Sequence, residues 1–208
     1  MIVIVDYGLG NLGSIYNILK RLGAEAVISS KPAEIKKANK LILPGVGSYD
    51  YGMEQMEKFR LIDTLNEQVL TKKVPVLGIC LGSQLFAKGS EEGNKSGLGW
   101  IDMEVVKFNN DKMSAFGGLK IPHMGWNEIH LVKESPLFRD MYENPRFYFV
   151  HSYHFAAANP DDVLSTASYG YEFVCAIEKN NIAGVQFHPE KSHKFGMKLL
   201  QNFAKSIL

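Results

Sequence analysis

Cys80 is the residue in this chain best placed for covalent chemistry. The segment Val76-Leu77-Gly78-Ile79-Cys80-Leu81-Gly82-Ser83-Gln84 passes from an apolar run into a helical one, with a glycine two positions away on each side of the thiol. G-x-C-x-G is the cysteine counterpart of the nucleophile elbow, a sharp strand-to-helix turn in which side chains at the two flanking positions would clash. Cys80 is expected at a helix N-terminus, where unpaired N–H groups and the helix dipole favour a thiolate. The plainer alternative is a buried structural thiol, the usual fate of a lone cysteine in a strand. The paired glycines favour the nucleophile.

A thiol nucleophile needs a base, and Gln186-Phe187-His188-Pro189-Glu190 offers one. In extended backbone, residues i and i+2 project to one side, and Pro189 favours that conformation at His188. Glu190 would then hold one imidazole nitrogen while the other faces Cys80. Leu43-Pro44-Gly45-Val46-Gly47 follows an apolar strand expected beside the elbow strand. Backbone N–H groups of Gly45, Val46 and Gly47, with that of Leu81, would stabilise a developing oxyanion.

Two competing chemistries fit less well. Gly8-Leu9-Gly10-Asn11-Leu12-Gly13 satisfies G-x-G-x-x-G, but a dinucleotide site wants an acidic residue about 20 positions on, at the end of the second strand. That strand ends in Ser29-Ser30-Lys31, so the motif reads as a tight turn. His151, His154, His188 and His193, even with Cys80 and Cys175, show neither zinc-finger nor H-E-x-x-H spacing. No metal or other cofactor is expected.

The elements that must position these residues alternate in the first half. Ile2 to Val5, Ala26 to Ser29, Lys40 to Leu43 and Val74 to Ile79 read as strands. Between them lie a helix carrying Leu12, Ile15, Leu19 and Leu22 and stopped at Gly23, a short helix opened by Pro32, and one or two helices over Met53 to Leu70. Such alternation predicts βαβ units around a mainly parallel sheet. From Leu98 to Ala183, short runs such as 104–108, 147–150 and 174–178 predict mixed or antiparallel strands. A last amphipathic helix carries Phe195, Leu199, Leu200, Phe203 and Ile207.

The 208 residues contain no linker-like stretch and read as one domain over 1–208. Hydrophobic residues at 46% and charged residues at 22% exclude disorder, and a net charge of +1 gives no field to draw in nucleic acid or membrane. The apolar start ends at Asp6 with no basic region before it, so it reads as a strand and not as a signal peptide. With two cysteines, the expected setting is the reducing cytoplasm.

Pro44-Gly45-Val46-Gly47, Gly78-Ile79-Cys80-Leu81-Gly82 and His188-Pro189-Glu190 together resemble the class I (triad) glutamine amidotransferases. Further blocks, among them Pro122-His123-Met124-Gly125-Trp126-Asn127, Phe149-Val150-His151-Ser152-Tyr153 and Pro189-Glu190-Lys191-Ser192, resemble the branch that forms the glutaminase subunits of imidazole glycerol phosphate synthase, in histidine biosynthesis. The resemblance implies a three-layer α/β/α, flavodoxin-like fold with a mainly parallel sheet and added antiparallel strands. It implies that Cys80, His188 and Glu190 are catalytic and that L-glutamine is hydrolysed through a thioester. Gln84 and Glu92 would hold the polar end of the substrate, with Gly47, Tyr148, His151 and Ser152 around the pocket.

The resemblance further implies a (β/α)8 cyclase partner in a heterodimer, faced by Asn11, Trp126, Asn127 and Lys191. That partner would use the ammonia to form imidazole glycerol phosphate and an aminoimidazole carboxamide ribonucleotide. Ser83 stands where the family usually has methionine, and the segment from Lys191 to Met197 resembles paralogues that supply ammonia to amidate a surface-polysaccharide sugar. That acceptor is the alternative; a cysteine peptidase-like hydrolase of the same fold is a second.

Overall fold

In the computed structural model, which describes residues 1–115 and 119–205, the first half alternates strand and helix. β1 (Ile2–Val5), α1 (Leu12–Arg21), β2 (Ala26–Ser29), α2 (Pro32–Ile35) and β3 (Lys40–Gly45) lead to α3 (Tyr49–Lys58) and α4 (Ile62–Asn66). A π-helical stretch, Glu67–Thr71, extends α4 before β4 (Val76–Cys80) and the short α5 (Leu81–Gln84). There follow β5 (Gly89–Ser90), β6 (Met103–Lys107), α6 (Asn110–Ala115), β7 (His123–Glu128), β8 (His130–Leu131) and β9 (Arg146–His151). The chain continues through β10 (Tyr153–Ala157), β11 (Val163–Tyr169), β12 (Tyr171–Lys179) and β13 (Ile182–Val185) to α7 (His193–Lys205).

Among the described residues the main sheet runs β2-β1-β3-β4-β13-β12-β10-β6-β5, with β11 paired to β12 and β8 to β11. The five strands from β2 to β13 are parallel, whereas β12 meets both β13 and β10 antiparallel. The register Gly45↔Cys80 sets the glycine-rich loop beside the elbow, and Val185↔Ile79 brings the His188 segment in from the other side. These pairings put all three sequence motifs at the C-terminal ends of adjacent parallel strands, where open α/β sheets bind ligands. β7 and β9 form a separate two-stranded antiparallel ribbon. The sequence gives little sign of it, because β7 reads His-Met-Gly-Trp-Asn-Glu and lacks a continuous apolar face.

Alternation along the central strands explains the three layers. Ile2 and Ile4 pack in one core with Ile15 and Leu19 of α1 and Leu199, Leu200 and Phe203 of α7. Val3 and Val5 point the other way, into a second core with Met53 and Met56 of α3 and Leu65 of α4. Each such side chain removed from water contributes on the order of 1.5–3 kcal/mol. Phe195 is buried with the α7 residues, while Ile207 lies outside the described residues. Gly23, at φ +72°, ends α1 in the left-handed conformation that glycine adopts without strain.

Candidate active site

Cys80 closes β4 with φ 54° and ψ −118°, a conformation that a non-glycine residue holds only where the surroundings enforce it. The flanking glycines supply that enforcement, though not by avoiding each other as expected. A Cβ on Gly82 would lie 1.9 Å from the Leu43 carbonyl oxygen on β3, and one on Gly78 would lie 2.5 Å from Ser83 Cα. The elbow is pressed against its neighbours on both sides. The Ser83 hydroxyl lies 2.6 Å from the Cys80 carbonyl and 2.9 Å from that of Val185, tying the elbow to β13.

His188 comes to Cys80 from the end of β13. Its backbone N–H donates to Tyr148 O at 2.9 Å, and its Nδ1 lies 2.8 Å from Glu190 Oε1. Only His188 is extended, at φ −102° and ψ 96°; Pro189–Lys191 forms a 3-10 turn. The expected extended i, i+2 pairing is therefore corrected: Glu190 curls back to the ring through the turn. The Ser192 hydroxyl fastens it, donating to His188 O and accepting from Tyr148 N–H.

Both side chains of the pair are almost completely buried. Burial disfavours the imidazolium, but the Cys80 sulphur and the Glu190 carboxylate outweigh it and raise His188 to about 10. Burial likewise pushes the Glu190 carboxyl up, and His188 and Asn11 together bring it below its ordinary value. His188 Nε2 meets no partner in hydrogen-bonding geometry, yet Cys80 is close enough to act on its charge. With Nδ1–H given to Glu190, Nε2 is the atom left to exchange a proton with sulphur.

A pocket of about 330 Å³ opens at Cys80 and His188. Val46, Gly47, Leu81, Gln84, Glu92, His151 and Ser152 line it, all given site roles from sequence; Pro122, Val150 and Tyr153 line it as well and stood in the motifs without a site role. Gly45 and Tyr148 are not among the lining residues. Gly45 ends β3 in register with Cys80, where a Cβ would come within 2.5 Å of the Tyr7 hydroxyl and 2.6 Å of Gly82 N. Tyr148 supports His188 through its backbone, and Lys191 Nζ lies 5.6 Å over its ring.

Gly47, at φ +106°, turns the loop into the pocket with no atom near a would-be Cβ. Gly10 lies under the same loop, its would-be Cβ 2.9 Å from Pro44 Cβ, so the G-x-G-x-x-G turn packs against the loop. Glu92 accepts from Tyr49 N–H at 2.9 Å, and burial raises its carboxyl pKa. Gln84 is buried and spends Nε2 on Gln186 Oε1 at 3.0 Å.

His151 belongs to a directional chain of hydrogen bonds. Its Nδ1 lies 2.7 Å from Tyr153 O, an acceptor only, so Nδ1 carries the proton. Burial holds the ring neutral, which leaves Nε2 to accept from His123 Nδ1 at 2.9 Å. His123 Nε2 then accepts from Asn127 Nδ2 at 3.3 Å.

Of the four residues expected to face a partner, Trp126 and Lys191 are exposed, and Trp126 stacks on His193 with the planes 2° apart. Asn11 and Asn127 are half-buried and engaged inside the chain. Asn11 Nδ2 donates to Glu190 Oε1 at 3.0 Å and Asn127 Nδ2 to Ser168 O at 2.8 Å. Among the described residues no group of three or more His, Cys, Asp or Glu side chains is arranged to hold a metal.

The family described as Glutamine amidotransferase class-I matches residues 3–207. The chain is 49% identical, over 100% of both sequences, to "Imidazole glycerol phosphate synthase subunit HisH 2" of Pseudomonas aeruginosa. It is 52% identical, over 99% of each, to the protein of that name in Methanococcus maripaludis. Among solved structures it superposes on PurLQS from Thermotoga maritima with a TM-score of 0.70 at 17% identity, over 97% of this chain and 96% of that one, a likeness of fold.

Proposed function

The chain belongs to the class-I glutamine amidotransferases, and on that premise we propose that Cys80, His188 and Glu190 hydrolyse the side-chain amide of L-glutamine. It acts as a glutaminase subunit of imidazole glycerol phosphate synthase, an assignment carried by identities of 47–52% along nearly the whole chain. The observation that carries the chemistry is the buried, hydrogen-bonded His188–Glu190 pair opening with the strained Cys80 onto one small pocket.

Sulphur attacks the amide carbon, and the charge gathering on its oxygen meets N–H groups of Leu81 and of the Val46–Gly47 loop. His188 gives its Nε2 proton to the departing nitrogen, so the C–N bond breaks to release ammonia and leave a glutamyl thioester on Cys80. Water then attacks the thioester carbon while His188 takes its proton, and glutamate departs with the thiolate restored. Glu190 holds the ring in the tautomer both steps need. Glu92, acceptor-only when ionised, and Gln84 suit the polar end of the amino acid. A pocket near the small end of ligand sites favours a free amino acid over a peptide.

The relatives are named as synthase subunits, which supports a cyclase partner for the ammonia. A (β/α)8 barrel in a heterodimer, docked over Trp126 and Lys191 at the mouth of the site, is the form proposed. The acting unit proposed is one domain over residues 1–208, in the cytoplasm, where a free thiol such as Cys80 persists. No helix among the described residues is long and apolar enough to cross a membrane.

The segment from Lys191 to Met197, which resembles paralogues serving a surface-polysaccharide sugar, keeps that acceptor as the second reading. The test is rescue of a histidine auxotroph lacking this subunit, with glutamine turnover measured with and without the cyclase and its nucleotide ligand. Rescue and partner-stimulated turnover are expected. Turnover unaffected by that cyclase, together with failure to rescue, would assign the other acceptor.

A further inference from the structure

Gln186 plays no part in the chemistry described so far, yet its side chain touches the sulphur. It is completely buried and is held at the end of β13 by its N–H, which donates to Cys175 O at 2.8 Å. Its Nε2 lies 3.8 Å from Cys80 Sγ in donor geometry, and its Oε1 accepts from Gln84 Nε2 at 3.0 Å. A buried amide is costly unless its hydrogen bonds are met, and here both are met by residues lining the pocket.

We infer that Gln186 is a positioning residue that joins the ionisation of Cys80 to the orientation of Gln84. A thiolate accepts hydrogen bonds and cannot donate them, so it selects the Gln186 rotamer with Nε2 toward sulphur. Oε1 is then the end presented to Gln84, and two carbonyl oxygens cannot face each other there. Gln84 therefore turns Nε2 inward, where Tyr153 O accepts from it as well at 3.4 Å, and its Oε1 is left as an acceptor for an N–H of the substrate. The substrate's identity rests on the glutaminase reading; the effect on sulphur does not.

Two variants separate these effects. Gln186→Glu keeps the shape but sets an acceptor, and a charge when ionised, against the sulphur. Gln186→Met keeps the bulk and removes both bonds. Alkylation of Cys80 by iodoacetamide, located by mass spectrometry and followed across pH, is expected to slow about tenfold at neutral pH in Gln186→Glu, with its alkaline rise displaced to higher pH. Gln186→Met should slow several-fold.

With the cyclase and its nucleotide ligand present, KM for L-glutamine should rise about tenfold in Gln186→Met. It should rise similarly in Gln84→Met, with little further rise in the double variant, as for two residues acting through one contact. Unaltered alkylation profiles in folded variants, or a loss of thermal stability alone, would overturn the inference. If Gln186→Glu does not fold, Gln186→Met decides. A wild-type chain that hydrolyses no glutamine, while the alkylation profiles still shift, would overturn the substrate reading and leave the action of Gln186 on sulphur standing.

Discussion

At the scale of single residues, charge at the site is set by partners that oppose burial. His188 is buried yet raised to about 10, because Cys80 and Glu190 face its ring. Glu190→Gln removes the carboxylate, so the His188 pKa should fall toward its ordinary value of 6.5, read by NMR of the imidazole nitrogens. Glutaminase kcat should fall about 10²-fold or more, because the ring loses both its charge partner and its fixed tautomer. An unchanged titration would mean that Glu190 does not govern the ring. Asn11→Ala removes one donor from the same carboxylate oxygen and should cost about tenfold, the scale of one hydrogen bond to a charged group. Asn11 shows how a residue can be found by motif without its bond: its position in the turn was visible, whereas its bond to Glu190, 179 residues away in sequence, depends on the fold.

At the scale of elements, two glycines should respond differently to alanine. A Cβ on Gly82 meets the backbone carbonyl of β3 at 1.9 Å and cannot be relieved by rotating a side chain. Gly82→Ala should therefore destabilise by about 3 kcal/mol or more, seen as a lower denaturation midpoint. Gly47 has open space but φ +106°, so Gly47→Ala should cost about 1–2 kcal/mol and reduce turnover by straining the loop that faces the oxyanion. Equal destabilisation by the two would contradict the packing described for the elbow. The parallel half of the sheet was legible because its strands are short apolar runs between periodic helices, and the elbow because glycine spacing survives in one dimension. β9 was legible as a strand, but its pairing with β7 was not, since β7 reads His-Met-Gly-Trp-Asn-Glu without a continuous apolar face. Tyr153 and Gln186 stand in the motifs, but their roles escaped notice because nothing local marks what they touch. Tyr153 reaches the pocket from β10 and Gln186 reaches Cys80 from just beyond β13, whereas Tyr148 offers its backbone carbonyl to His188.

At the scale of the whole molecule, burial of histidines ties stability to pH. Burial lowers His123 to about 4 and also lowers His151 and His154. Unfolding exposes all three to water, where they bind protons near their ordinary value of 6.5. Stability is thus fully present above that value and is lost as pH falls from about 6.5 toward 4. His188 acts in the opposite sense: its contribution is present below 6.5 and is lost as pH rises toward about 10. The melting temperature should be highest near neutrality and decline on both sides, and a flat profile from pH 7 to 4.5 would contradict the neutral, buried assignment of the three rings. Two motifs from the parallel half and one from near the chain's end meet at a single pocket, so the chemistry requires β3, β4 and β13 to pair across a wide separation in sequence. The most direct measurement is mass spectrometry of the chain quenched during glutamine turnover, with the cyclase and its nucleotide ligand present. A single glutamyl group on Cys80, absent together with ammonia release in Cys80→Ala, is expected. A glutamyl group on another residue, or ammonia release that persists in Cys80→Ala, would contradict Cys80 as the nucleophile.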